Sequence, residues 1–249
     1  MAGLFGLLVG SFLNVLIHRL PRDESIVHPR SRCPACGVAI GPLDNIPVVS
    51  WLVLGARCRA CRAPISIRYP LVELGNAALW VAVFWRAPSW FDLVSGALLC
   101  SSCVALAWID ADFQLLPDAI TLPGIAAGVA LSFFSLERTP LQAALGAALG
   151  SLSLLAVGWT WSRLRKVEAM GLGDVKMLGM VGAFLGPWGV FLTVFCGSIL
   201  GSLLGLFLVA ARRGGLRTAI PFGVFLAIGA VVTYFFGGAL LREYRALWP

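Results

Sequence analysis

The chain has 249 residues, of which 59% are hydrophobic and 12% charged, and its mean hydropathy is +0.89. A soluble domain of this length cannot bury so much apolar surface, so a water-soluble protein is excluded and the solvent must be a bilayer. The net charge of +7 does not argue for nucleic acid, because the basic residues sit in loops between apolar runs, where topology and anionic lipid headgroups account for them.

The first apolar run opens at Met1-Ala2-Gly3-Leu4 without a basic flank and ends near Ile17, and the first charges, Arg19 and Arg22, follow it. This reads as a retained first transmembrane helix over residues 1–18, N-terminus outside, and not as a cleaved signal. A polar segment over 19–69 follows. Further apolar runs cover 69–85, 91–109, 119–136, 141–161, 174–185, 190–211 and 220–241. The pattern predicts an all-α polytopic membrane protein of about eight transmembrane helices with both ends outside. The run 174–185 is too short to cross ~30 Å alone and requires neighbours, tilt or local thinning.

Arg19, Arg22, Arg30, Arg32, Arg57, Arg59, Arg62 and Arg68 fall in the first loop, Arg163, Arg165, Lys166 and Lys176 around a second, and Arg212, Arg213 and Arg217 in a third. Arg86, Arg138, Arg242 and Arg245 lie on the other side. The positive-inside rule makes the three richer loops cytoplasmic. Glycines at helical spacing, Gly146 and Gly150 or Gly197, Gly201 and Gly205, read as close helix contacts in lipid.

The first loop holds Cys33-Pro34-Ala35-Cys36-Gly37 and Cys58-Arg59-Ala60-Cys61. Paired thiolates on two tight turns match a closed four-thiolate zinc site, which is structural because no coordination position stays open. A disulfide pair is the alternative, disfavoured in a reducing cytoplasmic loop. Cys100, Cys103 and Cys196 lie within apolar runs and read as packing residues; His18 and His28 are surplus to a four-cysteine site.

Asp110, Asp112 and Asp118 stand at the end of the third run, and Asp174 follows Gly171-Leu172-Gly173. Carboxylates at membrane depth are costly and functional by default. Two that face each other in a low dielectric share a proton, so one remains acid while the other acts as base, a dyad able to activate water against an amide. Asp110 and Asp174 are on different helices at the same membrane level, and Gly171 and Gly173 allow the backbone to bend and approach closely. The bland reading has these acids capping helices or pairing with Lys176 and Arg163. It suits Asp118, which follows Pro117 as an N-cap would; Asp112 reads as a partner of the pair. The short sixth run suggests that substrate assembles the dyad.

Ile109-Asp110-Ala111-Asp112, Leu115-Leu116-Pro117-Asp118 and Gly171-Leu172-Gly173-Asp174-Val175-Lys176 resemble the type IV prepilin peptidases, intramembrane aspartic proteases with a Gly-x-Gly-Asp motif. So do Gly10-Ser11-Phe12-Leu13-Asn14-Val15, Asn45-Ile46-Pro47, Arg68-Tyr69-Pro70-Leu71-Val72-Glu73 and Pro221-Phe222-Gly223. The resemblance implies a catalytic pair at Asp110 and Asp174, with Asp112, Asp118, Gly171, Gly173 and Lys176 accessory. It implies cleavage of the leader of type IV prepilins or type II secretion pseudopilins at the cytoplasmic face of a bacterial inner membrane. Cys33, Cys36, Cys58 and Cys61 match the family's tetracysteine loop, here 19–69, ahead of a peptidase core over 70–249. The bifunctional members methylate the new N-terminus with S-adenosylmethionine; that cofactor rests on the resemblance, since no glycine-rich nucleotide motif announces it. Glu73 lies one turn inside the second run, and with Asn14 it is a candidate to receive the substrate amine, pairing with Arg68 being the alternative.

Two rival readings remain at this stage. One keeps proteolysis and makes the zinc loop a clamp. The other is a proton- or cation-coupled transporter, against which the acids cluster at one membrane face instead of the midplane.

Overall fold

The computed structural model describes residues 1–165, 171–211 and 221–247. Lys166, Arg212, Arg213, Arg217 and Ile220, which entered the topology argument, lie outside the described residues. Among the described residues the chain is helical, with two isolated β-bridges, Arg32 to Ala39 and Arg57 to Pro64, in place of strands. It divides into two compact units, Met1–Arg86 and Ala87–Pro249.

In the first unit, α1 (Ala2–Arg19) runs beside the later helix of the unit, and between them come α2 (Val49–Val53) and two 3-10 turns, Leu20–Arg22 and Pro42–Asn45. That later helix is α3 (Arg68–Arg86). Lipid is as apolar as leucine, so helices in it associate through close backbone approach and interhelical hydrogen bonds. Both occur here. A Cβ on Gly6 would lie 2.7 Å from the Cα of Ala77, and one on Gly10 2.7 Å from the Cα of Glu73. Asn76, fully buried, donates to the Gly6 carbonyl at 2.8 Å, and Asn14 donates to the Tyr69 carbonyl at 3.1 Å.

The second unit contains α4 (Trp90–Phe113), α5 (Asp118–Ser132), α6 (Pro140–Arg165), α7 (Leu172–Ala210) and α8 (Phe222–Leu247). The sixth and seventh apolar runs form the two halves of α7, which separate at Gly186, where φ is 72° and ψ −177° and the backbone is not helical, with Pro187 behind it. Glycine tolerates this backbone and proline removes a donor, so the two helical halves meet at a sharp turn, and a Cβ on Gly182 would lie only 2.9 Å from Val190 Cγ2. Helices α6 and α7 touch backbone to backbone: a Cβ on Gly146 would meet the Gly182 carbonyl oxygen at 2.1 Å, and one on Gly150 the Leu178 carbonyl oxygen at 2.4 Å. Gly197 lies similarly against α8, its missing Cβ 3.0 Å from the Phe225 carbonyl oxygen. The packing role is thus observed at Gly146, Gly150 and Gly197.

Among the described residues, five helical stretches are long and apolar enough to cross a bilayer: Ala2–Arg22, Trp90–Phe113, Pro140–Leu164, Leu172–Leu208 and Phe222–Tyr244. Helix α3 is more polar, and α5 is shorter than the apolar run 119–136 that announced it. The shortening has a cause. Beyond Ser132 the backbone leaves the helix and brings Ser135 and Leu136 to Asp92, which is only 3% exposed. Ser89 donates to Asp92 at 2.6 Å, the Leu136 N–H at 3.2 Å, and the Ser135 hydroxyl also donates. This buried acid, not marked as special in the sequence, pins the start of α4 to the α5–α6 connection.

Candidate active site and metal centre

The end of α4 opposite Asp92 carries Asp110, which is 5% exposed. Its Oδ2 accepts the backbone N–H of Val224 at 3.0 Å, and the N–H of Gly223 is directed at the same carboxylate. These are first-turn amides of α8, donors without a partner inside their own helix, and the positive end of the helix dipole favours a carboxylate there. Asp174 stands in the first turn of α7, half-buried, close enough to Asp110 for the two charges to interact. The structure therefore places the two sequence-selected acids at the same end of the second unit.

The spacing is set by Leu116, a residue the sequence reading did not single out. It is 6% exposed. A Cβ on Gly173 would lie 2.9 Å from the Cβ of Leu116, and a Cβ on Gly223 would lie 3.0 Å from Leu116 Cδ2 and 2.8 Å from Asp110 Oδ2. Neither Gly171 nor Gly173 adopts a left-handed backbone, and the close approach expected of this pair is seen at Gly173. Gly173 is required by space. A Cβ on Gly171 would meet Asp174 Oδ2 at 3.8 Å, an ordinary contact. The signal for the α8 side was present as Pro221-Phe222-Gly223 before an apolar run, a helix start with a small residue in its first turn.

Asp118 is the first residue of α5 rather than its N-cap, which is Pro117, and it makes no capping bond. Its carboxylate instead accepts from Lys176 Nζ at 2.7 Å on both oxygens, joining α5 to α7 in an exposed pair. Asp112 lies exposed in the last turn of α4.

In the first unit the sulfurs of Cys33, Cys36, Cys58 and Cys61 all lie within 4.8 Å of one another, with Cys33 and Cys61 3.8 Å apart. A tetrahedral ion with Zn–S bonds near 2.3 Å separates its sulfurs by about 3.8 Å, so the donor set and spacing fit zinc. All four are free thiols. The two turns are built alike. The Cys33 N–H bonds the Val38 carbonyl and the Gly37 N–H the Cys33 carbonyl; likewise the Cys58 N–H bonds Ala63 and the Arg62 N–H bonds Cys58. Gly37 has φ 72°, and Arg62, its counterpart, φ 61°. Backbone N–H groups of Cys36 and Ala35 draw the Cys33 thiol down to about 6. At Cys61 the Ala63 N–H favours thiolate, but desolvation and the three neighbouring thiols prevail and hold it up at about 11. So crowded a thiol set ionises fully only around a cation. Arg59 clamps the module from outside, donating to Asp44 at 2.7 to 3.1 Å and holding that carboxyl below its usual range.

Glu73, 6% exposed, accepts the backbone N–H of Val48 at 2.7 Å. Val48 has φ 62° and ψ −49°, and the Val49 N–H closes back onto the Pro47 carbonyl at 2.6 Å. This is a γ-turn, a strained conformation for a β-branched residue, held from below by Glu73. Nearby, between α1 and the loop, lies a cleft of about 340 Å³ lined by residues including Phe12, Arg19, Arg30, Asn45 and Pro47. Arg19 is already committed to the Ser25 and Pro29 carbonyls at 2.7 and 2.6 Å. The lining presents guanidinium groups and no carboxylate, a mismatch for a sulfonium cation.

A helical membrane chain with two acids meeting at one end of its bundle, and a four-thiolate module in a separate unit, has the parts of a membrane-embedded aspartic hydrolase. Comparison with known proteins gives the family. Residues 4–87 match the bacterial peptidase A24 N-terminal domain and residues 97–206 the type IV leader peptidase family. The chain is 39% identical to a prepilin leader peptidase/N-methyltransferase of Pseudomonas aeruginosa, covering 97% of this chain and 91% of that one. It is 40% identical to the protein of that name from Aeromonas hydrophila, over 97% and 91% of the two chains. With that of Myxococcus xanthus it is 46% identical over 86% of this chain and 64% of the relative. The chain belongs to the type IV leader peptidase family. No solved structure matches it.

Proposed function

We propose that this chain is an intramembrane aspartic endopeptidase that removes the leader from type IV prepilins or type II secretion pseudopilins and methylates the new N-terminal residue. The observation that carries the peptidase reading is that Asp110 and Asp174 lie at the same end of the α4, α7 and α8 bundle, near enough for the charge of one to act on the other. One carboxylate takes a proton from water as the oxygen attacks the scissile carbonyl carbon. The other gives its proton to the carbonyl oxygen. The first then returns its proton to the amide nitrogen as the C–N bond breaks, and the second recovers a proton from the tetrahedral intermediate's hydroxyl. Water and amide become acid and amine, and the dyad is restored.

The charge distribution supports placing this site at the cytoplasmic face of the inner membrane, within reach of a leader that precedes an apolar substrate helix. Transport is not favoured, because the acids gather at one end of the bundle. The sulfurs of Cys33, Cys36, Cys58 and Cys61 would hold a structural zinc ion that fixes the fold of the loop. Family membership supports S-adenosylmethionine as methyl donor. Glu73 and Asn14, at the root of that loop, are the residues assigned to receive the amine.

The test is mass spectrometry of a prepilin incubated with the purified protein in detergent, with and without S-adenosylmethionine. Leader loss, and a methyl group only when the donor is present, is the expected result. Leader loss alone would reduce the cysteine unit to a structural role; an untouched prepilin, with zinc bound and the protein folded, would overturn the reading.

A further inference from the structure

We infer that the first turn of α8 is the positioning element of the cleavage site: the Val224 backbone N–H fixes Oδ2 of Asp110 so that Oδ1 is the oxygen offered to the attacking water. This rests on the assignment of Asp110 to the catalytic pair. Asp110 stands in the last turn of α4, buried against the start of α8. Its Oδ2 is occupied by Val224 at 3.0 Å. The close approach exists because residue 223 is glycine, whose Cβ would fall 2.8 Å from that oxygen and 3.0 Å from the carboxyl carbon. Leu116 fills the remaining side, 3.0 Å from the same Cβ position.

The arrangement has a chemical consequence. An oxygen that accepts a backbone N–H is a poor place for a proton, since the amide favours charge on it. Oδ1 is left to receive the proton of the water, in line with a preorganised dipole acting where charge changes during reaction. Val224 is the third residue of α8, and its N–H has no intrahelical acceptor. The bond can therefore be removed without breaking the helix, because proline is tolerated in a first turn.

The experiment compares Val224→Pro, Val224→Ala and Asp110→Asn in the full-length protein, reading kcat and KM for prepilin cleavage and, separately, methylation of a pre-cleaved pilin. A second probe replaces Val224 by its α-hydroxy acid, which exchanges the N–H for an ester oxygen while keeping the side chain. Val224→Pro and the ester should each lower kcat by about tenfold to a hundredfold with KM changed less than about twofold. Methylation should persist, and Val224→Ala, which keeps the N–H, should restore cleavage. Full kcat in the ester-containing protein, with Asp110→Asn inactive, would overturn the inference while leaving the dyad intact. Normal cleavage by Asp110→Asn would overturn the dyad, and the inference with it.

Discussion

The Cβ that Gly173 lacks would stand 2.9 Å from the Cβ of Leu116, so the start of α7 rests directly on the segment that follows Asp110. An added methyl group must push the two apart, and with them Asp174 from Asp110. Gly173→Ala should lower the prepilin cleavage rate at least about tenfold, the usual scale for overpacking a tight contact being 1–3 kcal/mol. Gly171→Ala meets only a 3.8 Å contact and should cost less than about threefold. Equal effects at the two glycines would show that backbone freedom, and not space, is what the motif supplies.

Protons and metal compete for the four thiolates. Cys33 is the sulfur most easily kept as thiolate, its thiol drawn down to about 6 by the Cys36 and Ala35 amides. A depressed value means that the charged form persists as pH falls until that value is crossed. Zinc content, measured by elemental analysis after dialysis, should fall as pH is lowered and protons displace the metal, and the stability linked to the metal should be lost with it. Cys33→Ser should leave less than about a tenth of the metal at neutral pH.

Glu73 offers two separable functions, a charge and a hydrogen-bond acceptor. Glu73→Gln keeps an acceptor for the Val48 N–H but removes the charge. If Glu73 receives the substrate amine, this variant should lower methylation about tenfold or more while leaving cleavage within about twofold. Unchanged methylation would remove Glu73 from the methylation site and leave it as the prop of the Val48 turn; Glu73→Leu should then be the damaging change.

Arg62 occupies, at φ 61°, the backbone position that Gly37 fills in the other cysteine turn. A non-glycine residue pays roughly 1 kcal/mol for this conformation. Arg62→Gly should therefore retain zinc against chelator longer than the natural chain does, with a net gain of about 0.5 kcal/mol after the added freedom of the unfolded loop is subtracted. Faster metal loss in this variant would mean that the arginine side chain contributes more than its backbone costs.

The sequence by itself determined what composition, spacing and motif determine. Its hydropathy demanded a membrane helical protein, its cysteine spacing a four-thiolate module, and its acids next to apolar runs a carboxylate pair. Family resemblance then named the chemistry that the comparisons support. These features are local, so one-dimensional reading reaches them.

What the tertiary structure decided was non-local. The runs 174–185 and 190–211 read as separate, and the helix is indeed broken between them at Gly186; that the break is a sharp kink and not a loop is what only three-dimensional packing tells. Asp92 looked unremarkable, and Ser135 and Leu136, distant in sequence, make it a buried structural anchor. Asp118 read as a cap and proved to be the partner of Lys176. Leu116 and Val224 carried no chemical signature, since a leucine's shape and a backbone amide's direction acquire meaning only when α4, α7 and α8 converge. Sequence fixes which groups can react; where each oxygen points depends on which helix ends meet.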